Sequence, residues 1–178
     1  MERVELVHIE PQHVGILRNL LQLYLYDFSP YFCGERDGYT NERGLFEAGF
    51  DVERYAAPPQ PGKPRYWGYL ARVEGRWAGF ALISDRVDRA YHTGPGHNMD
   101  EFFVLRCFRR RGIGRAMAKQ VFDRHQGYWQ ITAIEPNKPA QAFWRAVVRA
   151  YTAGRCREFS TEEDGERLVW QVFEADSR

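Results

Sequence analysis

Val104-Leu105-Arg106-Cys107-Phe108-Arg109-Arg110-Arg111-Gly112-Ile113-Gly114 joins an apolar run to an amphipathic one through a short basic arc. Upstream, Met99–Leu105 reads as a buried strand. Downstream, the segment from about Gly112 to His125 carries Ile113, Met117 and Val121 at helical spacing. The arc is therefore a strand-to-helix turn. At the start of such a helix several backbone N–H groups lack an intrahelical acceptor and project along the positive end of the dipole. Gly112 and Gly114 have no Cβ, so an anion can approach the backbone, and the arginines from Arg106 to Arg115 add charge-assisted donors. The turn has the chemistry of a diphosphate cradle.

Outward from it the elements are regular. Toward the N-terminus, Val4–Ile9 reads as a strand, and Pro11 suits the first turn of a helix whose apolar positions are Val14, Leu17, Leu21, Tyr24 and Phe28, ending near Ser29-Pro30. Tyr31 to Pro64 is rich in Gly, Pro and charge and holds a short helix or two inside loop. Arg65–Val73 and Trp77–Ser84 flank Glu74-Gly75, a tight hairpin turn. Asp85 to His97 is a loop. Toward the C-terminus, Trp129–Ile134 is a strand and Asn137 to Arg149 a helix with Ala140, Phe143, Trp144 and Val147 on its apolar face. Arg157–Ser160 and Arg167–Phe173 are strands joined by the charged turn Thr161–Glu166. No repeat or domain boundary interrupts this order, so residues 1–178 read as a single domain.

Three kinds of anion-binding turn compete for the arc. A Walker P-loop needs Lys and then Ser or Thr after its last Gly, but Arg115-Ala116 follows Gly114. A Rossmann turn fits Gly112-x-Gly114-x-x-Met117, with Glu135 roughly 20 residues beyond. Against it, the turn lies behind an antiparallel hairpin, with too little chain left for further βαβ units. The third pattern, R/Q-x-x-G-x-G/A after a strand ending in Val, fits Arg109-Arg110-Arg111-Gly112-Ile113-Gly114. Asn137, Ala140, Phe143 and Trp144 add N-x-x-A-x-x-[FL]-[YW] on the helix after the next strand. With both blocks and the order of elements, the chain resembles the GNAT acetyltransferase superfamily.

That resemblance implies an α/β (α+β) fold with a mixed, mostly antiparallel sheet of about seven strands, splayed central parallel strands and flanking helices. It implies acetyl-CoA as co-substrate, its pantetheine arm pairing with backbone around Phe103, Val104 and Leu105. The amides of Arg110, Arg111, Gly112, Ile113 and Gly114, helped by Arg109 and Arg115, would hold the diphosphate, and Asn137, Phe143 and Trp144 would border the cofactor. The amide of Val104 would polarise the thioester carbonyl. A primary amine of a small molecule or peptide would attack directly in a ternary complex. An alkylamine is almost wholly protonated at pH 7, so a carboxylate base is needed. Asp100 and Glu101 are the candidates; strand alternation sends them to opposite faces, and Glu101 is preferred. Tyr24, Asp27, Phe28 and Tyr31 lie where the acceptor wall is expected.

Bland readings stand beside these. Asn137 suits a helix cap, Trp144 suits a packed core, and Asp27 suits a helix-end surface. Trp144 also replaces the Tyr that protonates the leaving thiolate in many members. Leaving as thiolate costs about 2 kcal/mol at pH 7, and Tyr128 or Tyr151 are possible substitutes. The missing acid keeps open a non-catalytic acetyl-CoA-binding module or sensor. The formal charge of +1 over 178 residues gives no field for nucleic acid or an anionic membrane. Three cysteines (Cys33, Cys107, Cys156) without C-x-x-C, and histidines without ligand spacing, point to no disulfide framework and no metal. With no apolar h-region after Met1 and no membrane-spanning run, the expected home is the cytoplasm. Monomer and homodimer are both compatible with the sequence.

Overall fold

A computed structural model of the chain describes residues 2–31, 39–46, 51–163 and 165–176. Among the described residues seven segments pair into one mixed sheet: β1 (Val4–His8), β2 (Tyr66–Val73), β3 (Arg76–Ser84), β4 (Gly96–Val104), β5 (Gly127–Ile134), β6 (Cys156–Glu163) and β7 (Glu166–Ala175), in the order β1-β2-β3-β4-β5-β7-β6. Among the described residues only β4 and β5 run parallel; the other strand pairings are antiparallel. The β2–β3 turn uses positive φ at both Glu74 (50°) and Gly75 (77°), the twist that tight hairpins favour.

Helix α1 (Val14–Phe28), entered through a 3-10 turn at Pro11–His13, covers one face of the sheet. Leu17, Leu20 and Leu21 pack there with Ile9, Tyr55, Leu70, Phe80, Leu82 and Phe103. Helices α2 (Ile113–Arg124) and α3 (Lys138–Thr152) cover the other face, where Met117, Val121, Phe122, Trp144 and Val148 meet Tyr69, Ala81, Ile83, Trp129 and Phe173. Two covered faces explain why β3 reads as an unbroken apolar run.

The observed bounds are wider than the sequence suggests. β4 starts at Gly96 because Gly96–Met99 pair with Tyr128–Ile131. α3 continues past Arg149 through Thr152, closed by left-handed Ala153 and Gly154. The β6–β7 hairpin consumes most of the charged stretch assigned to its turn, pairing as far as Glu163 with Glu166. Among the described residues between Tyr31 and Pro64 the one helical turn is a 3-10 turn, Glu53–Tyr55; Cys33 lies outside the described residues.

A histidine shapes stability. His125, 7% exposed, caps the C-terminus of α2, with Nε2 2.8 Å from the Tyr69 hydroxyl and its ring against Trp67 and His97. Burial, with His97, Arg124 and His8 nearby, lowers its pKa to about 4. The unfolded chain binds this proton near pH 6.5, so it holds more protons than the fold does between those values. Stability is then full above about pH 6.5 and declines toward pH 4, by up to about 3 kcal/mol. Denaturant midpoints should fall across that window in wild type and stay flatter in His125→Phe; parallel curves would contradict the assignment.

Candidate active site

β4 and β5 pair only from Gly96 with Tyr128 to Met99 with Ile131. Beyond that, β4 stays with β3 and β5 stays with β7, so a wedge opens between them. Its cause is local. Leu82 pairs with Glu101 and Ile83 with Met99, which leaves Asp100 as an extra residue, a β-bulge at the point where pairing ends. A bulge bends its strand and breaks the alternation of side chains.

Asp100 and Glu101 consequently share a face, which corrects the expectation from ideal alternation. Asp100 Oδ1 accepts from Ser84 Oγ (2.7 Å) and Asn98 Nδ2 (2.7 Å), and its Oδ2 accepts from the Tyr55 hydroxyl (2.9 Å). Glu101 Oε2 accepts from the Tyr24 hydroxyl of α1. Tyr24 and Tyr55 both belong to the α1 side of the sheet. Burial raises the Glu101 pKa to about 7; the neighbouring Asp100 charge adds to the rise, while Tyr24 and Arg54 oppose it. Burial and the Glu101 charge push the Tyr24 phenol well above its usual range. Glu101 is therefore a carboxylate that can hold or release a proton near neutrality, whereas three donors surround Asp100.

The backbone lining the wedge follows from two contacts with β3. The Leu105 N–H donates to the Ala78 carbonyl (2.8 Å), and the Phe103 carbonyl lies against Gly79, where a Cβ would stand 2.0 Å from it. Alternation then turns the amides of Phe102 and Val104 into the wedge. The Leu105 carbonyl accepts from the Phe108 N–H (2.9 Å).

At the wide end of the wedge the basic arc reaches α2. Arg110 (φ 61°) and Gly112 (φ 81°) are left-handed, and the residues flanking each are not. Such alternation gathers successive amides into an anion-binding concavity, or nest. The first α2 bond runs from Ala116 N–H to the Gly112 carbonyl (3.0 Å), so the amides before it face outward. A Cβ on Gly114 would stand 3.0 Å from the Phe143 ring and 3.5 Å from a Val104 methyl, so glycine lets the first turn of α2 close against the wedge.

The arginines divide. Arg109 Nε donates to the Val104 carbonyl (2.7 Å) and its Nη2 to Asp27; Arg106 Nε also donates to Asp27 (2.7 Å). Asp27, expected on the acceptor wall, instead clasps the arc to the end of α1, and Arg109 stiffens the arc rather than standing free in it. Arg111 donates to the Cys107 carbonyl and to Glu2. Arg110 and Arg115 are exposed and carry no ion pair among the described residues. Asn137 Oδ1 caps α3 by accepting from Ala140 N–H (3.1 Å) and also accepts from the Tyr31 hydroxyl (3.2 Å), tying the end of α1 to the start of α3. Trp144 is 5% exposed and packs edge-on to Phe102 and Phe143, a core position. Tyr24, Phe28 and Tyr31 form a ladder with centroids 5.4 and 5.3 Å apart. Tyr151 donates to Asp123 at the far end of α3, and Tyr128 stacks on His92 on the paired half of β5.

Sequence reading missed Tyr55, Ser84, Asn98 and Arg54. Tyr55 and Arg54 sit in the stretch without periodicity, and the pairing of Ser84 with Asn98 is a long-range register that no local pattern encodes.

A family model described as acetyltransferase (GNAT) family matches residues 23–147. A search of curated proteins finds no match. Among solved structures, the GNAT domain of S. lividans PAT superposes with a TM-score of 0.63 at 15% identity, over 96% of this chain and 90% of that one. The ribosomal-protein-S18-alanine N-acetyltransferase from Escherichia coli gives 0.58 at 11%, over 98% and 95%. AAC(6')-Iy, in complex with the bisubstrate analog CoA-S-monomethyl-acetylneamine, gives 0.56 at 17%, over 82% and 89%. At these identities the likeness is one of fold.

Proposed function

Since this chain belongs to the GNAT acetyltransferase family, we propose that it transfers an acetyl group from acetyl-CoA to a primary amine of a small molecule or peptide within a ternary complex. The observation that carries this reading is Glu101, a carboxylate of pKa about 7 placed where the central strands part.

Acetyl-CoA, when bound, supplies a thioester carbonyl to the amine. The nest from Arg110 to Gly114 fits its diphosphate, since a Cβ on Gly114 would meet Phe143 and left-handed Gly112 favours glycine. Arg110 and Arg115, with no ion pair among the described residues, offer their guanidinium groups to the remaining phosphate charge. The amides of Phe102 and Val104 pair with the extended arm, as an added strand pairs with an edge, and polarise the carbonyl. Glu101 removes the proton of the incoming ammonium, directly or through water. One C–N bond forms and one C–S bond breaks; of the two protons the ammonium gives up, one passes through Glu101 to solvent and the other is taken up by the departing thiolate. Tyr24 holds the Glu101 carboxylate in place. Asp100 is held by Tyr55, Ser84 and Asn98 and shapes the field around Glu101. The reaction runs in one domain, 1–178, on soluble partners in the cytoplasm, with no metal.

Tyr24→Phe removes a hydrogen bond that favours ionised Glu101, so the Glu101 pKa should rise. The base works only when ionised, so the acid limb of the kcat/KM–pH profile moves to higher pH. Rates at pH 7 fall several-fold and recover by about pH 9; an unmoved limb would place Tyr24 outside this path.

The reading is tested by incubating the protein with acetyl-CoA and an amine panel and following free thiol. Amine-dependent release supports it. Tight cofactor binding with no release from any amine would favour a non-catalytic acetyl-CoA sensor, the reading that Trp144 in place of a Tyr acid suggests.

A further inference from the structure

We propose that the acceptor is a free diamino acid, held by its zwitterionic end in a cavity beside the carboxylate pair and acetylated on its side-chain amine. This rests on the transferase reading above and deepens it.

A cavity of about 370 Å³ lies against the paired halves of β4 and β5, and its lining includes Arg86, Asp88, Asn98, Gln130, Glu163 and Trp170. Asn98 is its link to the chemistry: it lines the cavity and donates to Asp100. The rise of a strand is about 3.3 Å per residue, so Asn98 lies roughly 7 Å from Asp100 and at most about 10 Å from Glu101. A stem of about four carbons, as in a lysine side chain, spans such a gap.

The charges of the cavity are held by a built framework. Gln130, 1% exposed, accepts from the Asp88 N–H (2.7 Å) and donates to the Asp88 carbonyl (3.3 Å), which pins the loop after β3 to β5. Asp88 Oδ1 accepts from Ala90 N–H (2.8 Å), and its Oδ2 makes no hydrogen bond among the described residues. Glu163 Oε1 accepts from Thr161 Oγ1 (3.0 Å), which in turn accepts from the Trp170 indole N–H (2.8 Å); the other Glu163 oxygen is likewise uncommitted. Arg86 is exposed, with no ion pair among the described residues. Two part-free carboxylates and one free guanidinium around an indole wall match an α-ammonium and an α-carboxylate on one carbon. A plain diamine leaves Arg86 unanswered. A plain ω-amino acid leaves the Asp88 and Glu163 carboxylates without a cation. Built polar sites reject analogues that lack the matching group far more strongly than apolar pockets reject a missing methylene.

The test measures kcat/KM with acetyl-CoA for L-lysine, L-ornithine, cadaverine and 6-aminohexanoate, by thiol release, with mass spectrometry locating the acetyl group. The expected result is that one of the two diamino acids exceeds both truncated analogues by about 30-fold or more and is modified on its side-chain nitrogen. Arg86→Gln should narrow the ratio of that diamino acid to cadaverine toward one, and Asp88→Asn should narrow its ratio to 6-aminohexanoate. Transfer to other amines, with the diamino acids no better than their analogues, overturns this proposal and leaves the transferase reading standing. Absence of transfer to any amine sinks both.

Discussion

Replacing Glu101 with Gln is expected to lower kcat by about 10²- to 10⁴-fold while leaving acetyl-CoA affinity nearly unchanged. Gln keeps the shape of the side chain and can still bond Tyr24, so the fold around the bulge is preserved. What it loses is the capacity to take a proton. A carboxylate with a pKa of about 7 is half ionised at neutral pH and strong enough a base to matter there. In the wild type the rate should therefore climb through about pH 7 and level off. In Glu101→Gln that limb should vanish, leaving a slow rate that tracks free amine. Asp100→Asn provides the comparison. Its carboxylate is occupied by Tyr55, Ser84 and Asn98, so its loss should act on the position of the limb more than on the plateau. If Asp100→Asn erased the limb and Glu101→Gln retained it, the roles of the two would have to be exchanged.

Gly114→Glu is expected to weaken acetyl-CoA binding by about 10²- to 10³-fold. Two effects combine. A Cβ at this position already stands 3.0 Å from the Phe143 ring, so a larger side chain must swing outward, into the space the diphosphate would fill. There its carboxylate faces like charge, which costs on the order of 4 kcal/mol at 4 Å in a surface-like dielectric. Gly114→Ala separates crowding from charge: a shift of the Phe143 ring by a few tenths of an ångström relieves it, and affinity should drop only a few-fold. Calorimetric titration gives both values, and thermal unfolding of each variant shows whether the fold is intact. Equal affinity in wild type and a folded Gly114→Glu would remove the cofactor from this turn.

The sheet, α1 to α3 and the strand-to-helix turn before α2 were legible because each rests on local signals. Ile113, Met117 and Val121 mark α2, Glu74-Gly75 marks the hairpin, and Gly112 and Gly114 mark the turn into α2. The carboxylate pair was legible only as a pair. Its common face comes from an extra residue at Asp100, and no glycine or turn residue announces that bulge. Asp27 shows the same limit from the other side. Its place beside Tyr24 and Phe28 suggests the acceptor wall, but its partners Arg106 and Arg109 stand some eighty positions along the chain, and only the fold brings them together. Tyr55 was hidden for a third reason. It lies in a stretch with no period, and its hydroxyl finds Asp100 only because the chain around Ile9 and Gly68 packs closely enough to bury its ring.

The central claim is that backbone amides at the entrance to α2 grip the diphosphate of coenzyme A. The most direct test is a titration of ¹⁵N-labelled protein with coenzyme A, followed amide by amide by NMR. The largest shifts should fall on Arg110 to Gly114, with Phe102 and Val104 moving in step. Saturable binding that leaves those amides in place, or no binding at all, would contradict it.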